Sequence, residues 1–189
     1  MDPAVNYVVL LVLTLVTALN LILILRVASR IEVGAAGRAS APALVVGQSV
    51  PEFAGRALAD SSPVRSEHLL GQPQVLIFLS SACPKCRASI DELVSLLGAI
   101  RGAGVGLWIV GVGPADDFAR LLEGSPLLDH VLEMDEPSRR RLNPLNAAPM
   151  YVFLDPDLTT VAASYVGDDD WLSFAQQMRE GADQAPGPL

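Results

Sequence analysis

Lysine and cysteine are scarce in this chain. Its 189 residues contain one lysine, Lys85, and two cysteines, Cys83 and Cys86, against 21 acidic residues and a formal net charge of −8. The other basic residues are scattered, apart from three consecutive arginines at 139–141. A nucleic-acid-binding surface needs a concentrated basic face, so nucleic-acid binding is excluded as the main function.

Charge is also missing from the amino-terminal part. The stretch that begins at Tyr7 and ends at Leu25, YVVLLVLTLVTALNLILIL, has 19 residues and no charge. At about 1.5 Å per helical residue, it nearly spans a hydrocarbon core of about 30 Å. A cleavable signal peptide has a basic start and a shorter apolar region, whereas this chain starts with Asp2 and no Lys or Arg. We therefore predict a retained, single-pass membrane anchor within residues 1–30.

The arginines after this segment bear on its orientation. Arg26, Arg30 and Arg38 follow the apolar stretch, and no basic residue precedes it. The positive-inside tendency therefore favours a cytoplasmic domain. Three arginines beside one helix are a modest bias, however, and the rule describes short loops better than whole domains.

The rest of the chain divides into three parts. Residues 31–44, IEVGAAGRASAPAL, are mostly small and lack a periodic apolar stripe, which indicates a linker. Residues 45–180 alternate strand-like runs with helical patterns, and we predict one α/β domain with a mixed sheet. Residues 181–189 are predicted to form a disordered tail.

A strand and a helix flank the two cysteines. QVLIFLS is short, β-branched and aromatic, and is predicted to be a buried strand. Apolar residues then recur at helical spacing, which predicts a helix from about Pro84 to Arg101. The side chains expected to face the core from this helix are Ile90, Leu93, Val94, Leu97 and Ile100.

Further segments complete the predicted domain. Turn signals at Gly55 and at residues 60–63 predict a hairpin before the first buried strand. VGLWIVGV is apolar on both alternations, as is typical of a parallel strand covered on two faces. DHVLEM is predicted to be a strand, and MYVFLD with LTTVAASYVG an antiparallel hairpin. The last helix is expected to bury Trp171, Phe174 and Met178.

Cys83 stands where the predicted strand ends and the helix begins. The free amide groups and the dipole of a helix amino terminus stabilise a thiolate and lower its pKa. Lys85 adds a nearby positive charge, and Pro84 with Lys85 is expected to tune the pair. Cys86 lies one helical turn later, close enough to bond to Cys83. The spacing therefore predicts that Cys83 attacks a partner disulfide and that Cys86 resolves the mixed disulfide.

Three non-redox roles for the two cysteines are weaker. Two structural thiols three positions apart in a chain with only two cysteines would be a coincidence. A zinc site needs two more ligands, and His68 and His130 lack zinc-finger spacing. A purely structural disulfide would close too small a loop to stabilise the fold much. Redox chemistry without a metal or a bound cofactor is favoured.

Pro149 is the second feature that bears on function. It precedes a predicted strand in NAAPMYVF, about 60 residues beyond the cysteines, and alone would be a strand-edge proline. With the order of elements, the pattern resembles the thioredoxin-like fold. The resemblance implies that Pro149 is cis, and that Pro149 and Ala148 face the CxxC motif and position the substrate chain.

The opening VGQSVPEF extends this resemblance. It is similar to the start of membrane-anchored, extracytoplasmic thioredoxin-like thiol-disulfide oxidoreductases of bacteria, and the segment between GLWIVGV and Pro149 is similar to the helix-strand insert of that branch. Within it, Pro84 directly after the first cysteine makes the chain most similar to the methylamine-utilisation accessory proteins. The resemblance covers about residues 45–178.

The resemblance also implies a location and partners. Against the arginine bias, it implies an extracytoplasmic domain tethered to the bacterial inner membrane. The expected partners are a protein disulfide or dithiol client, such as the small subunit of methylamine dehydrogenase, and an upstream redox partner.

Two residues depart from related patterns. Ala82 stands where thioredoxins proper have Trp, and Ser89 stands where the cytochrome-maturation reductases have Glu. The second departure argues against a role in haem-protein maturation. A non-catalytic thioredoxin-like assembly factor or scaffold remains the alternative function.

Overall fold

The computed structural model describes residues 44–184. The predicted anchor, the linker except for Leu44, and residues 185–189 of the predicted tail lie outside this range. Among the described helices, none is both long enough and apolar enough to cross a membrane.

A seven-stranded mixed sheet forms the centre of the described region. The strands are β1 (Ala54–Ala57), β2 (Pro63–Arg65), β3 (Gln74–Leu79), β4 (Gly106–Gly111), β5 (Val131–Met134), β6 (Met150–Leu154) and β7 (Thr160–Tyr165). Their order is β2-β1-β5-β4-β3-β6-β7. The pairs β3/β4 and β4/β5 are parallel, and the others are antiparallel, so the mixed sheet is confirmed.

Within residues 44–184, four α-helices and two short 3₁₀ helices connect or follow the strands. The α-helices are α1 (Pro84–Gly102), α2 (Ala115–Leu121), α3 (Glu136–Leu142) and α4 (Asp169–Gln184), and the 3₁₀ helices are Ser66–Leu69 and Pro126–His130. Helix α1 begins with a proline, whose missing N–H would have no helical partner at that position. It ends just before Gly104, which adopts a positive φ of 69°.

Strand β3 alternates its side chains between two apolar clusters. Val75, Ile77 and Leu79 pack in the cluster that contains residues of α1 and α4, whereas Leu76 and Phe78 pack in the other. All six residues of β3 are buried. Burying each large aliphatic side chain contributes about 1.5–3 kcal/mol, so this strand anchors the segment that leads to the cysteines.

The buried face of α1 differs from the prediction at one position. Val94 is 37% exposed, whereas Leu96, which was not predicted to be buried, is fully buried. At about 100° per residue, Leu93, Leu96, Leu97 and Ile100 fall within an arc of about 100°. Val94 lies outside that arc, so its apolar side chain is left partly in solvent.

Gly55 does not form the predicted turn. It lies inside β1, between Val64 of β2 and Met134 of β5. A Cβ atom there would be 2.6 Å from the Glu133 carbonyl oxygen, so glycine permits the close approach of β5. The reversal lies further on, where the Ser62 N–H donates to the Asp60 side chain at 2.9 Å.

Two predicted boundaries also shift. Residues 129–130 of DHVLEM belong to a 3₁₀ helix, and the strand begins at Val131. Helix α4 runs to Gln184, so residues 181–184, which the sequence assigned to the tail, are helical. A helical glycine such as Gly181 costs about 1 kcal/mol, which lowers helix propensity without ending the helix.

Candidate redox site

The strand-to-helix junction places both cysteines as predicted. Strand β3 ends at Leu79, and after a three-residue connection Cys83 forms the amino-terminal cap of α1 with an extended backbone. The Cys83 N–H donates to the Ser80 carbonyl at 3.2 Å, and the Arg87 N–H donates to the Cys83 carbonyl at the same distance. These two bonds fix the backbone on either side of the Cys83 side chain.

The two thiols have different environments. Both are free, but Cys83 is half-buried and Cys86 has no exposed surface. The Cys86 Sγ accepts a hydrogen bond from the Ser80 N–H at 3.3 Å and otherwise packs in the apolar cluster beneath α1. A partner molecule in solvent can therefore reach the sulfur of Cys83 but not that of Cys86.

Their pKa values move in opposite directions. Burial raises the pKa of Cys83, but the backbone N–H and thiol of Cys86, with the N–H and charge of Lys85, outweigh it, and the net shift is downward. The pKa of Cys86 is raised to about 11, chiefly by burial; the Ser80 N–H lowers it, and the hydrogen bond and charge of the neighbouring Cys83 raise it. The site therefore favours a thiolate at the accessible sulfur and a thiol at the buried one.

Ala148 and Pro149 lie beside Cys83. Their peptide bond is cis, as the resemblance led us to expect. The Cys83 Sγ is 3.7 Å from the Ala148 carbonyl oxygen, which is in range for a weak hydrogen bond to sulfur. The Val166 N–H donates to the Pro149 carbonyl at 3.2 Å, which ties this segment to the end of β7. The fold thus brings together residues about 65 positions apart.

The remaining predicted site residues are exposed. Pro84 and Lys85 both face solvent in the first turn of α1. Lys85 acts on the pKa of Cys83 through its backbone N–H and through its charge. Pro84 begins the helix and leaves the amide groups of the next two residues free to act on the Cys83 sulfur.

Sequence reasoning missed two residues near the cysteines. The guanidinium of Arg87 donates to the Ser81 carbonyl from Nε at 3.1 Å and from Nη2 at 2.9 Å, which braces the loop before Cys83. The side chain of Asn143 bonds to the backbone of Ala147. The only sequence signal for Asn143 is a polar residue at a helix end followed directly by proline.

The two histidines have other surroundings. His68 Nδ1 accepts a weak bond of 3.4 Å from the Arg65 N–H, and His130 Nδ1 lies 3.2 Å from the Leu107 carbonyl oxygen. Within residues 44–184, no three or more His, Cys, Asp or Glu side chains are grouped so that they could hold a metal ion.

Comparison with known proteins gives a fold. No family model matches the sequence, and no curated protein matches it. Among solved structures, the thioredoxin domain of a thiol-disulfide oxidoreductase from Bacteroides vulgatus is 18% identical with a TM-score of 0.61, covering 72% of this chain and 99% of its own. A thiol:disulfide interchange protein from Bacteroides sp. is 18% identical with a TM-score of 0.60, covering 72% and 91%. A thiol:disulfide interchange protein of the thioredoxin family from Chlorobium tepidum is 18% identical with a TM-score of 0.59, covering 74% and 99%.

At these identities the likeness concerns the fold alone. It agrees with the observed order of strands and helices and with the mixed sheet. The described part of the chain has the thioredoxin-like α/β fold that thiol-disulfide oxidoreductases also have.

Proposed function

We propose that this protein is a membrane-tethered thiol-disulfide oxidoreductase that uses Cys83 and Cys86 as its redox pair. The observation that carries the proposal is the contrast between the two sulfurs. One is accessible, caps a helix and has a lowered pKa, and the other is buried one turn away with a raised pKa. A structural pair of thiols has no need of this asymmetry.

The first step is attack by the Cys83 thiolate on one sulfur of a client disulfide. A bond forms between Cys83 and that sulfur, the client S–S bond breaks, and the second client sulfur leaves as a thiolate that takes up a proton. The amide groups at the start of α1 and the charge of Lys85 favour the attacking thiolate. At this stage the client is still bound covalently to Cys83.

The second step is attack by Cys86 on the Cys83 sulfur. The Cys86 thiol gives up its proton to solvent and its sulfur bonds to Cys83, the bond between Cys83 and the client breaks, and the first client sulfur leaves as a thiolate that takes up a proton. The client gains two electrons and the enzyme pair loses two. In reverse, the same steps oxidise a client dithiol, and an upstream redox partner resets the pair. No bound cofactor takes part.

Ala148 and Pro149 are proposed to position the client chain. Within residues 44–184, the Ala148 N–H has no hydrogen-bond partner, and its residue is half exposed beside the Cys83 sulfur. A free backbone donor next to the reacting atom suits an extended client segment, because main-chain bonds can hold a peptide whatever its sequence. Because Pro149 has no N–H, the Ala148 N–H is the donor that this segment offers to the client.

The tether and the location belong to the same proposal. The uncharged stretch from Tyr7 to Leu25 would cross the bacterial inner membrane and leave the redox domain outside the cytoplasm, where protein disulfides form. The resemblance to methylamine-utilisation accessory proteins suggests a disulfide-rich client, with the small subunit of methylamine dehydrogenase as the candidate. A reporter that works only outside the cytoplasm, fused after Leu189, should be active. An inactive fusion beside an active cytoplasmic reporter would contradict the orientation.

The redox roles are tested with three variants of the full-length chain. Cys83→Ser should lose exchange with a disulfide-bonded peptide, and Cys86→Ser should accumulate a mixed disulfide that links Cys83 to the peptide, seen as a mass increase. The double variant should do neither. Persistent exchange by Cys83→Ser would refute the proposal. Full biological activity of the double variant would favour the scaffold instead.

A further inference from the structure

Asn143 makes an unusual pair of hydrogen bonds. It follows the last residue of α3 and is a buried residue, 1% exposed. The Asn143 Nδ2 donates to the Ala147 carbonyl oxygen at 2.8 Å, and the Ala147 N–H donates to the Asn143 Oδ1 at 2.8 Å. One side-chain amide therefore satisfies both backbone groups of a single residue. We call this arrangement the Asn143 clamp.

The clamp holds the segment that borders the nucleophile. Ala147 is bonded covalently to Ala148, whose carbonyl oxygen is 3.7 Å from the Cys83 Sγ. On its other side, the segment is held by the bond from the Val166 N–H to the Pro149 carbonyl. Hydrogen bonds thus hold the backbone beside Cys83 at two points. The clamp holds it on the side of α3, and the Val166 bond holds it on the side of β7.

Besides the clamp, the enclosed loop has one backbone hydrogen bond among residues 44–184, from the Asn146 N–H to the Asn143 carbonyl at 3.1 Å. Residues 144–146 are exposed, and Leu145 is 55% exposed. Asn146 bonds to Arg139 at the surface, where water competes for the same groups. The two clamp bonds are partly buried and join the buried Asn143 to the half-buried Ala147, so breaking them would leave the buried side-chain amide unpaired. Both backbone hydrogen bonds of Ala147 therefore depend on one side chain.

We propose that Asn143 is a positioning residue for client binding, which acts by holding the Ala147 and Ala148 backbone at the distance from Cys83 that an extended client segment requires. This inference rests on the proposed function, because it assigns a role within that same site. Asn143 touches neither the client nor the sulfur. Its effect is on the surface that receives the client, and the reactivity of the thiol itself does not depend on it.

Two substrates separate these effects. A disulfide-bonded peptide with a fluorophore and a quencher needs both Cys83 and the adjacent backbone, whereas the small aromatic disulfide DTNB needs only the sulfur. Asn143→Ala removes both clamp bonds and should lower kcat/KM for the peptide about tenfold, or about 1.4 kcal/mol, mainly through KM. The rate with DTNB should change less than about twofold, because DTNB does not use the Ala147 and Ala148 backbone.

Asn143→Asp adds a signature that depends on pH. At neutral pH the carboxylate accepts from the Ala147 N–H but faces the Ala147 carbonyl without a proton to donate, so the variant should resemble Asn143→Ala. When the carboxyl is protonated, it has both a donor and an acceptor and restores both bonds. The ratio of variant to wild-type kcat/KM for the peptide should therefore rise as the pH falls. Asn146→Asp is the matched control, with the same chemical change three residues away, and both its rates should equal those of the wild type.

Both rates and the thermal unfolding of the full-length wild type and variants are measured. Selective loss with the peptide and a rising ratio for Asn143→Asp would support the inference. Equal losses with both substrates, an unchanged peptide rate, or failure of both Asn143 variants to fold would overturn it, because each indicates no role or a purely structural one. A wild-type protein that exchanges with neither substrate would instead refute the proposed function.

Discussion

Brief treatment of the reduced full-length protein with iodoacetamide at pH 7 should modify Cys83 at least about 100 times faster than Cys86. Only the thiolate reacts appreciably. With a pKa of about 11, about one Cys86 in 10,000 is a thiolate at pH 7. The pKa of Cys83 lies below its ordinary value of 9.0, so about one in 100 or more is a thiolate. The ratio follows from ionisation alone, and the burial of Cys86 increases it.

Peptide mapping by mass spectrometry, after labelling limited to less than one group per molecule, measures this ratio. Raising the pH should increase Cys83 labelling until its thiol is fully ionised, while Cys86 stays protected to higher pH. Equal labelling of the two cysteines would show that they share one environment. Preferential labelling of Cys86 would reverse the proposed roles of nucleophile and resolver.

Lys85, the only lysine in the chain, lies beside Cys83 and lowers its pKa partly through its charge. Lys85→Gln removes the charge but keeps the backbone N–H, so the rise of Cys83 labelling should move to higher pH. Arg65→Gln is the control, because it removes an exposed charge on the edge strand β2. A Lys85→Gln profile that matches the control would mean that the charge of Lys85 does not lower the pKa of Cys83.

Two further predictions concern stability, each measured by chemical denaturation. Gly55→Ala should lower the free energy of unfolding by about 1–3 kcal/mol, because its Cβ would meet the Glu133 carbonyl oxygen. The control, Gly98→Ala in α1, has open space around the added Cβ and should raise the free energy of unfolding by about 1 kcal/mol. Equal effects of the two substitutions would contradict the role assigned to Gly55. Tyr151→Phe should lower the free energy of unfolding by about 1–3 kcal/mol, because the hydroxyl donates to Asp168 at 2.9 Å. Burial, and then Asp168, raise the pKa of Tyr151 above 10.0, so this stabilisation is complete below pH 10 and is lost as the pH rises further. A stability advantage of the wild type over Tyr151→Phe that grows at alkaline pH would contradict the assignment.

Local sequence patterns were sufficient for most elements of the domain. The β-branched run before Cys83 and the apolar spacing after it correspond to β3 and α1. VGLWIVGV corresponds to β4, which lies between two parallel neighbours. These predictions succeed because each pattern is short-range and records which faces of a strand or helix are buried.

The errors occurred where a distant segment decides the outcome. Gly55 has the composition of a turn, yet it lies in a strand because β5 passes too close for a side chain. Val94 fits the apolar pattern of α1, yet Leu96 is buried in its place because the sheet and α4 determine which arc is covered. Neither partner is near in sequence, so local spacing does not reveal it.

The candidate site also combines features that the sequence predicts with features that only the packing of the chain determines. The sequence alone determined that the chain has one pair of cysteines, that they stand at a strand-to-helix junction, and that the first would experience the helix dipole and Lys85. Only the tertiary structure decided that Cys86 is fully buried and that the Ala148 carbonyl lies 3.7 Å from the Cys83 sulfur. Helix and strand propensities act over a few residues, whereas burial and contact depend on how β3, α1 and β6 pack together.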